Sequence, residues 1–131
     1  MIRAVLESHA AADACQHATD EDVDAADELH QRIAALSPDD PAITGLNPEF
    51  HMRIYEAAGS ALLIGLIRQT WAQSQGGPQL VWRPHAESVA QHAEQVEAFR
   101  RRDAERLSSQ TREHILGPLN HMQRALERED T

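Results

Sequence analysis

The chain has 131 residues, a formal net charge of −9, no lysine and one cysteine. That length suits one domain burying roughly two-thirds of its unfolded surface, and the acidic charge argues against this chain gripping a nucleic-acid backbone by itself. A single cysteine excludes an internal disulfide, and there is no signal peptide and no apolar run long enough to span a bilayer. We therefore expect a soluble, cytoplasmic protein with no membrane partner.

Apolar residues recur at helical spacing along nearly the whole chain, and no strand pattern competes. Thr19 is the expected N-cap of the second helix, and three acidic residues follow it at the positive helix end. The segments 37–41 and 74–85 are predicted breaks. In chain order, the predicted helices cover residues 2–17, 20–36, 48–58, 61–73, 86–101 and 104–128. For the third helix, an earlier start near Pro41, with an interruption at TGLNP, is the alternative to a start at Pro48. The expected fold class is all-α, an antiparallel bundle of about six helices.

Two prolines affect the predicted helix boundaries. Pro48 suits the first turn of the third helix, where its missing N–H is not needed, so Asn47 is a candidate N-cap. A capping side chain would have its oxygen occupied by a helix amide and less free for other uses. Pro118 follows Gly117 inside the last predicted helix. Because proline lacks an N–H and clashes with the carbonyl near His114, we expect a kink or a split there.

Three of the eight histidines, His51, His92 and His114, fall on the apolar stripes of three separate predicted helices. Asn47 lies one turn before His51 and shares its helix face. Enclosed imidazoles need a partner for each ring nitrogen, and one divalent cation bound by all three rings would meet that need. Taken alone, each is more simply a hydrogen-bonded core histidine. The other histidines are expected to be solvated or half-buried: His9, His17, His30, His85 and His121.

Two long segments carry a family resemblance: NPEFHMRIYEAAGSALL at 47–63 and QHAEQVEAFRRRDAERLSSQTREHI at 91–115. They resemble the effector-binding FCD domain of the FadR subgroup of GntR-type transcription regulators. That family shows Asp or Asn four residues before the His of a Phe-His pair, then an Ala-Ala-Gly helix end. Its two later histidines flank a Gly/Arg-Asp helix junction; here His92 and His114 are 22 residues apart, with Arg102-Asp103 between them. Residues 2–27 resemble the family's opening helices.

The resemblance implies one effector-binding domain over 1–131, built as an antiparallel bundle around a central cavity. In the family the cavity holds a divalent metal, here zinc or nickel, on the residues that match Asn47, His51, His92 and His114. Asn in place of the commoner Asp removes a negative charge and should weaken metal affinity. The family's N-terminal helix-turn-helix is absent from this chain, so DNA would be reached only through such a domain.

The resemblance also implies a small organic acid as effector, bound at or beside the metal, and a homodimer as the working form. Arg3 would then face the cavity and pair with the effector carboxylate through its bidentate guanidinium. The alternative for Arg3, held equal, is an exposed salt bridge with Glu7, four residues on.

The leading hypothesis is a metal-dependent carboxylate sensor of a transcription regulator, with no catalytic residues. One alternative is a three-histidine metalloenzyme of the DinB type, in which a metal-bound water acts as nucleophile. No carboxylate lies at a spacing that marks it as the general base of such an enzyme. The other alternative is a metal-free structural or dimerisation module with core histidines.

Overall fold

The computed structural model describes residues 2–73 and 83–129, with the backbone alone described at 118–123 and 129. The described residues form six α-helices and no strand, which confirms the all-α prediction. The helices are α1 (Ile2–His17), α2 (Asp20–Ala34), α3 (Ile43–Tyr55), α4 (Ala61–Gln73), α5 (His85–Arg100) and α6 (Ala104–Glu129). Of the predicted break at 74–85, residues 74–82 lie outside the described part of the chain.

The start of α2 is fixed by a capping box, in which Thr19 is the N-cap that the sequence predicted. The Thr19 hydroxyl accepts from the Asp22 amide at 3.2 Å, and the Thr19 amide donates to the Asp22 carboxylate at 2.8 Å. Two amides that the helix would leave unpaired are satisfied reciprocally. The backbone bond from Thr19 also lowers the pKa of Asp22.

The start of α3 agrees with the earlier of the two expected positions, but the interruption expected at TGLNP does not occur. The helix begins at Ile43, so Pro48 lies inside it and Asn47 is not its N-cap. Because Pro48 has no N–H, the carbonyl of Thr44 loses its helical donor. Thr44 is exposed, so water can bond that carbonyl instead. The side-chain oxygen of Asn47 is therefore not committed to capping.

The junction between α5 and α6 turns at Arg102, whose φ of 56° lies in the left-handed region. Glycine adopts this conformation more readily, and the bulky side chain here is held by a bond from its guanidinium to Asp20 at 3.0 Å. The Asp103 carboxylate then accepts from the Arg106 amide at 3.1 Å, as expected for the N-cap of α6.

The last helix runs on through Pro118, so the split, one of the two outcomes expected there, does not occur. Pro118 cannot donate to the carbonyl of His114, four residues earlier. An Nη of Arg83, from the segment before α5, donates to that carbonyl at 2.6 Å. The bond that the helix cannot make is thus supplied by a residue distant in sequence.

Packing brings α3, α5 and α6, which carry His51, His92 and His114, around a common interior. α1 packs against α3, α4 and α6, while α2 lies against both α3 and α5, and α5 lies against α6. The core between them is apolar, and its largest fully buried members are Tyr55, Phe50, Phe99, Ile33, Ile54, Ile67 and Leu107. None of the described helices is long and apolar enough to cross a membrane.

Candidate metal centre

Three imidazoles from three helices converge in the interior of the bundle. His51 on α3, His92 on α5 and His114 on α6 each offer a ring nitrogen, and these nitrogens all lie within 4.8 Å of one another. The ring centroids are 4.7 Å apart for His51 and His114, 4.9 Å for His51 and His92, and 5.5 Å for His92 and His114. The expectation that these residues share one location is met.

His51 and His92 are buried and His114 is half-buried, and this environment favours the neutral form of each ring. His92 is fully enclosed and His51 is 8% exposed. Burial lowers the pKa of His51 and His114 well below the ordinary value, and it lowers the pKa of His92 to about 2, with neighbouring histidines adding to each effect. Neutral imidazole is the form that ligates a metal. Near pH 7 no proton therefore has to be removed before a cation binds.

Several buried polar atoms around the cluster have no hydrogen-bond partner within the described chain. They include both ring nitrogens of His92 and the side-chain oxygen of Asn47, one turn before His51 on α3. An unsatisfied buried polar atom costs about 1–3 kcal/mol. A cation between the rings would give at least one nitrogen of His92 the partner that the protein does not supply.

The donor set fits a divalent transition metal. Imidazole nitrogens suit zinc, nickel, copper and iron, while the amide oxygen of Asn47 is a weaker ligand. Two ligands at about 2.1 Å from one ion are at most roughly 4.2 Å apart. Because the nitrogens already lie within 4.8 Å, only a small inward movement of the rings is needed.

Two side chains orient His114: Arg83, which lies just before α5, and Gln91, which lies on α5. The amide nitrogen of Gln91 donates to Glu87 at 3.4 Å, which turns its oxygen toward His114, and that oxygen lies 2.5 Å from Nδ1 of His114. Arg83 Nη1 contacts the same Nδ1 and lies 3.2 Å from Nε2.

The match to known families decides what kind of domain this is. The model of the FCD domain matches residues 1–117. The chain belongs to the FCD domain family. It is therefore an effector-binding domain of the GntR-type transcription regulators, as the resemblance implied. Comparison with curated proteins and with solved structures found no match.

In this FCD domain Arg3 is engaged by a buried carboxylate. Its guanidinium donates to both oxygens of Glu7, at 2.7 and 3.3 Å, and Glu7 is only 1% exposed. The Tyr55 hydroxyl and the Trp71 indole N–H also donate to Glu7, each at 3.1 Å. Arg3 nevertheless lowers the pKa of His51 and His114, so its charge acts on the cluster. Its pairing with an effector stays a prediction.

Three contributors to the site were missed from the FCD sequence. His30 was expected to be solvated or half-buried, but it is 7% exposed and its ring lies 6.5 Å from that of His92. Its position on the inner face of α2 was the available signal. Arg83 and Gln91 contact His114. The available signal was Pro118, which leaves the carbonyl of His114 without a helical donor, so that another group has to donate to it.

Proposed function

We propose that this FCD domain binds one divalent metal ion through His51, His92 and His114, with Asn47 as a fourth ligand. Zinc or nickel is the metal that this donor set favours. A small carboxylate effector then binds at or beside the metal. The observation behind this proposal is the convergence of three imidazoles, two of them buried and one half-buried, of which His92 has no other partner among the described residues.

An incomplete ligand set suits a sensor. Three nitrogens and one weak oxygen leave coordination positions open, and a carboxylate oxygen is a suitable ligand for them. All four protein ligands are neutral, so an anionic effector also offsets the charge of the cation. In the described residues no Asp or Glu joins the histidine group, which favours sensing over base-assisted hydrolysis.

The ligands come from α3, α5 and α6, so effector binding bears on how these helices pack. An effector that binds two arrangements of the bundle with different affinity shifts their populations. In a cytoplasmic regulator this shift would reach the DNA-binding parts through a homodimer. α1 and α4 contact each other and present exposed apolar side chains that suit such an interface: Ile2, Val5, Leu62 and Leu66.

A thermal-shift screen of small carboxylates tests this function. We expect zinc-loaded protein to be stabilised by at least one two- to six-carbon carboxylate, by about 2.7 kcal/mol at a hundredfold excess over Kd. The same compound should leave chelator-treated protein unchanged, because the metal supplies part of its binding site. If zinc leaves the melting temperature unchanged and no carboxylate shifts it, the metal-free structural module is the better account.

A further inference from the structure

Among the charged groups around the histidines, Arg83 lacks a counterion. Arg3 is paired with Glu7, whereas no carboxylate of the described residues lies within ion-pair distance of Arg83. Glu87 attracts it only at longer range. The guanidinium is half-buried. A partly buried cation without a carboxylate is a candidate for binding an anion that comes from outside the chain.

The Arg83 guanidinium is held in place by the backbone. One Nη donates to the carbonyl of His114, which Pro118 leaves without a helical donor. The other Nη contacts Nδ1 of His114 and lies 3.2 Å from Nε2. The charge is thus fixed beside the imidazole that would ligate the metal.

This placement opposes a metal alone. A dication bound by the ring of His114 would have the guanidinium as a close neighbour, and like charges repel. The ligand set adds no negative charge, because the position where the family commonly has Asp is Asn47.

We infer that Arg83 is the anion-recognition residue of this site, and that it binds a carboxylate held at the same time by the metal. One oxygen of the carboxylate ligates the ion, and the guanidinium donates to the carboxylate. The repulsion between the guanidinium and the ion is then offset by the attraction of the carboxylate to both cations. Metal and carboxylate then bind cooperatively, each raising the affinity for the other. This inference rests on the proposed function.

The test compares zinc affinity in excess sodium acetate with that in sodium chloride of equal ionic strength, measured against a chromophoric chelator. For the wild-type domain we expect zinc to bind about tenfold more tightly in acetate, within the usual range for coupled sites. In chloride, Arg83→Gln should bind zinc more tightly than wild type does. Changing chloride for acetate should not raise the zinc affinity of this variant. Arg83→Lys, which keeps the charge without the planar fork, should retain the weak binding in chloride.

Opposite changes in the two salts separate recognition from a structural role, since a misfolded variant loses affinity in both. Arg112→Gln is the matched control, because Arg112 is exposed on α6 two residues before His114; it should behave as wild type. The inference is overturned if acetate raises the zinc affinity of Arg83→Gln as much as that of wild type. It is also overturned if this effect of acetate is lost in Arg3→Gln but kept in Arg83→Gln. Wild-type protein that binds zinc equally in both salts also overturns it, but leaves the metal site standing. Only failure to bind zinc in either salt removes the proposed function itself.

Discussion

His92→Leu should abolish stoichiometric zinc uptake while the folded domain remains at least as stable as metal-free wild type. His92 is fully enclosed and neither ring nitrogen has a partner in the described chain. A leucine fills most of the ring's volume and removes both unsatisfied atoms, so metal-free stability is retained or rises. Removing a residue that only supports a metal ligand lowers metal affinity by at most roughly 100-fold. Because His92 is itself one of three strong ligands, its loss should lower zinc affinity by more than this.

Chelator-competition titration measures the zinc affinity, and urea unfolding of the metal-free proteins measures stability. His9→Leu is the matched control, since it makes the same substitution at an exposed histidine of α1. It should take up zinc as wild type does. Stoichiometric zinc in His92→Leu at wild-type affinity would show that His92 is only a core residue.

Metal-free protein should lose stability as the pH falls from about 7.5 to 5.5, before most carboxylates titrate. In the unfolded chain His51, His92 and His114 return to their ordinary pKa of 6.5, while burial keeps them neutral in the fold. Below pH 6.5 the unfolded state therefore binds protons that the folded state does not, and the free energy of unfolding falls. Each histidine contributes about 1.4 kcal/mol over this range, or roughly 4 kcal/mol for three.

Urea unfolding of metal-free wild type and His92→Leu at both pH values checks this linkage. The variant should lose about 1.4 kcal/mol less than wild type between the two conditions, because one titrating group is gone. His9→Leu should lose as much as wild type, since His9 is exposed in the fold. Equal losses in wild type and His92→Leu would mean that His92 titrates normally in the folded protein.

Local patterns were sufficient to predict most of the helices. The bounds of α1 and α4 were predicted as the structure has them, and Thr19 and Asp103 cap α2 and α6 as expected. These signals depend on residues within one turn of each other, so they can be read without tertiary information.

The prolines were harder to interpret, because their effect depends on what replaces the lost bond. Pro48 does not start α3, since exposed Thr44 can have its carbonyl bonded by water. Pro118 does not split α6, since Arg83 reaches the carbonyl of His114. Both outcomes depend on solvent exposure or on a partner distant in sequence, which local propensity does not encode.

The three clustered histidines were predictable because helical periodicity placed each on an inward face. Their arrangement was not, since no sequence pattern fixes the distance between rings on different helices. Glu7 shows the same limit. Its spacing predicted the pair with Arg3, but its burial and its bonds from Tyr55 and Trp71 require the packed bundle.

X-ray absorption spectroscopy of the zinc-loaded domain tests the central claim most directly. The account predicts one zinc per chain with three imidazole nitrogens at about 2.0–2.1 Å, completed by oxygen ligands. Because His51, His92 and His114 are the metal-competent group in the described chain, the three-imidazole signature identifies their site. A shell dominated by oxygen with one imidazole or none, as surface carboxylates would give, would contradict it.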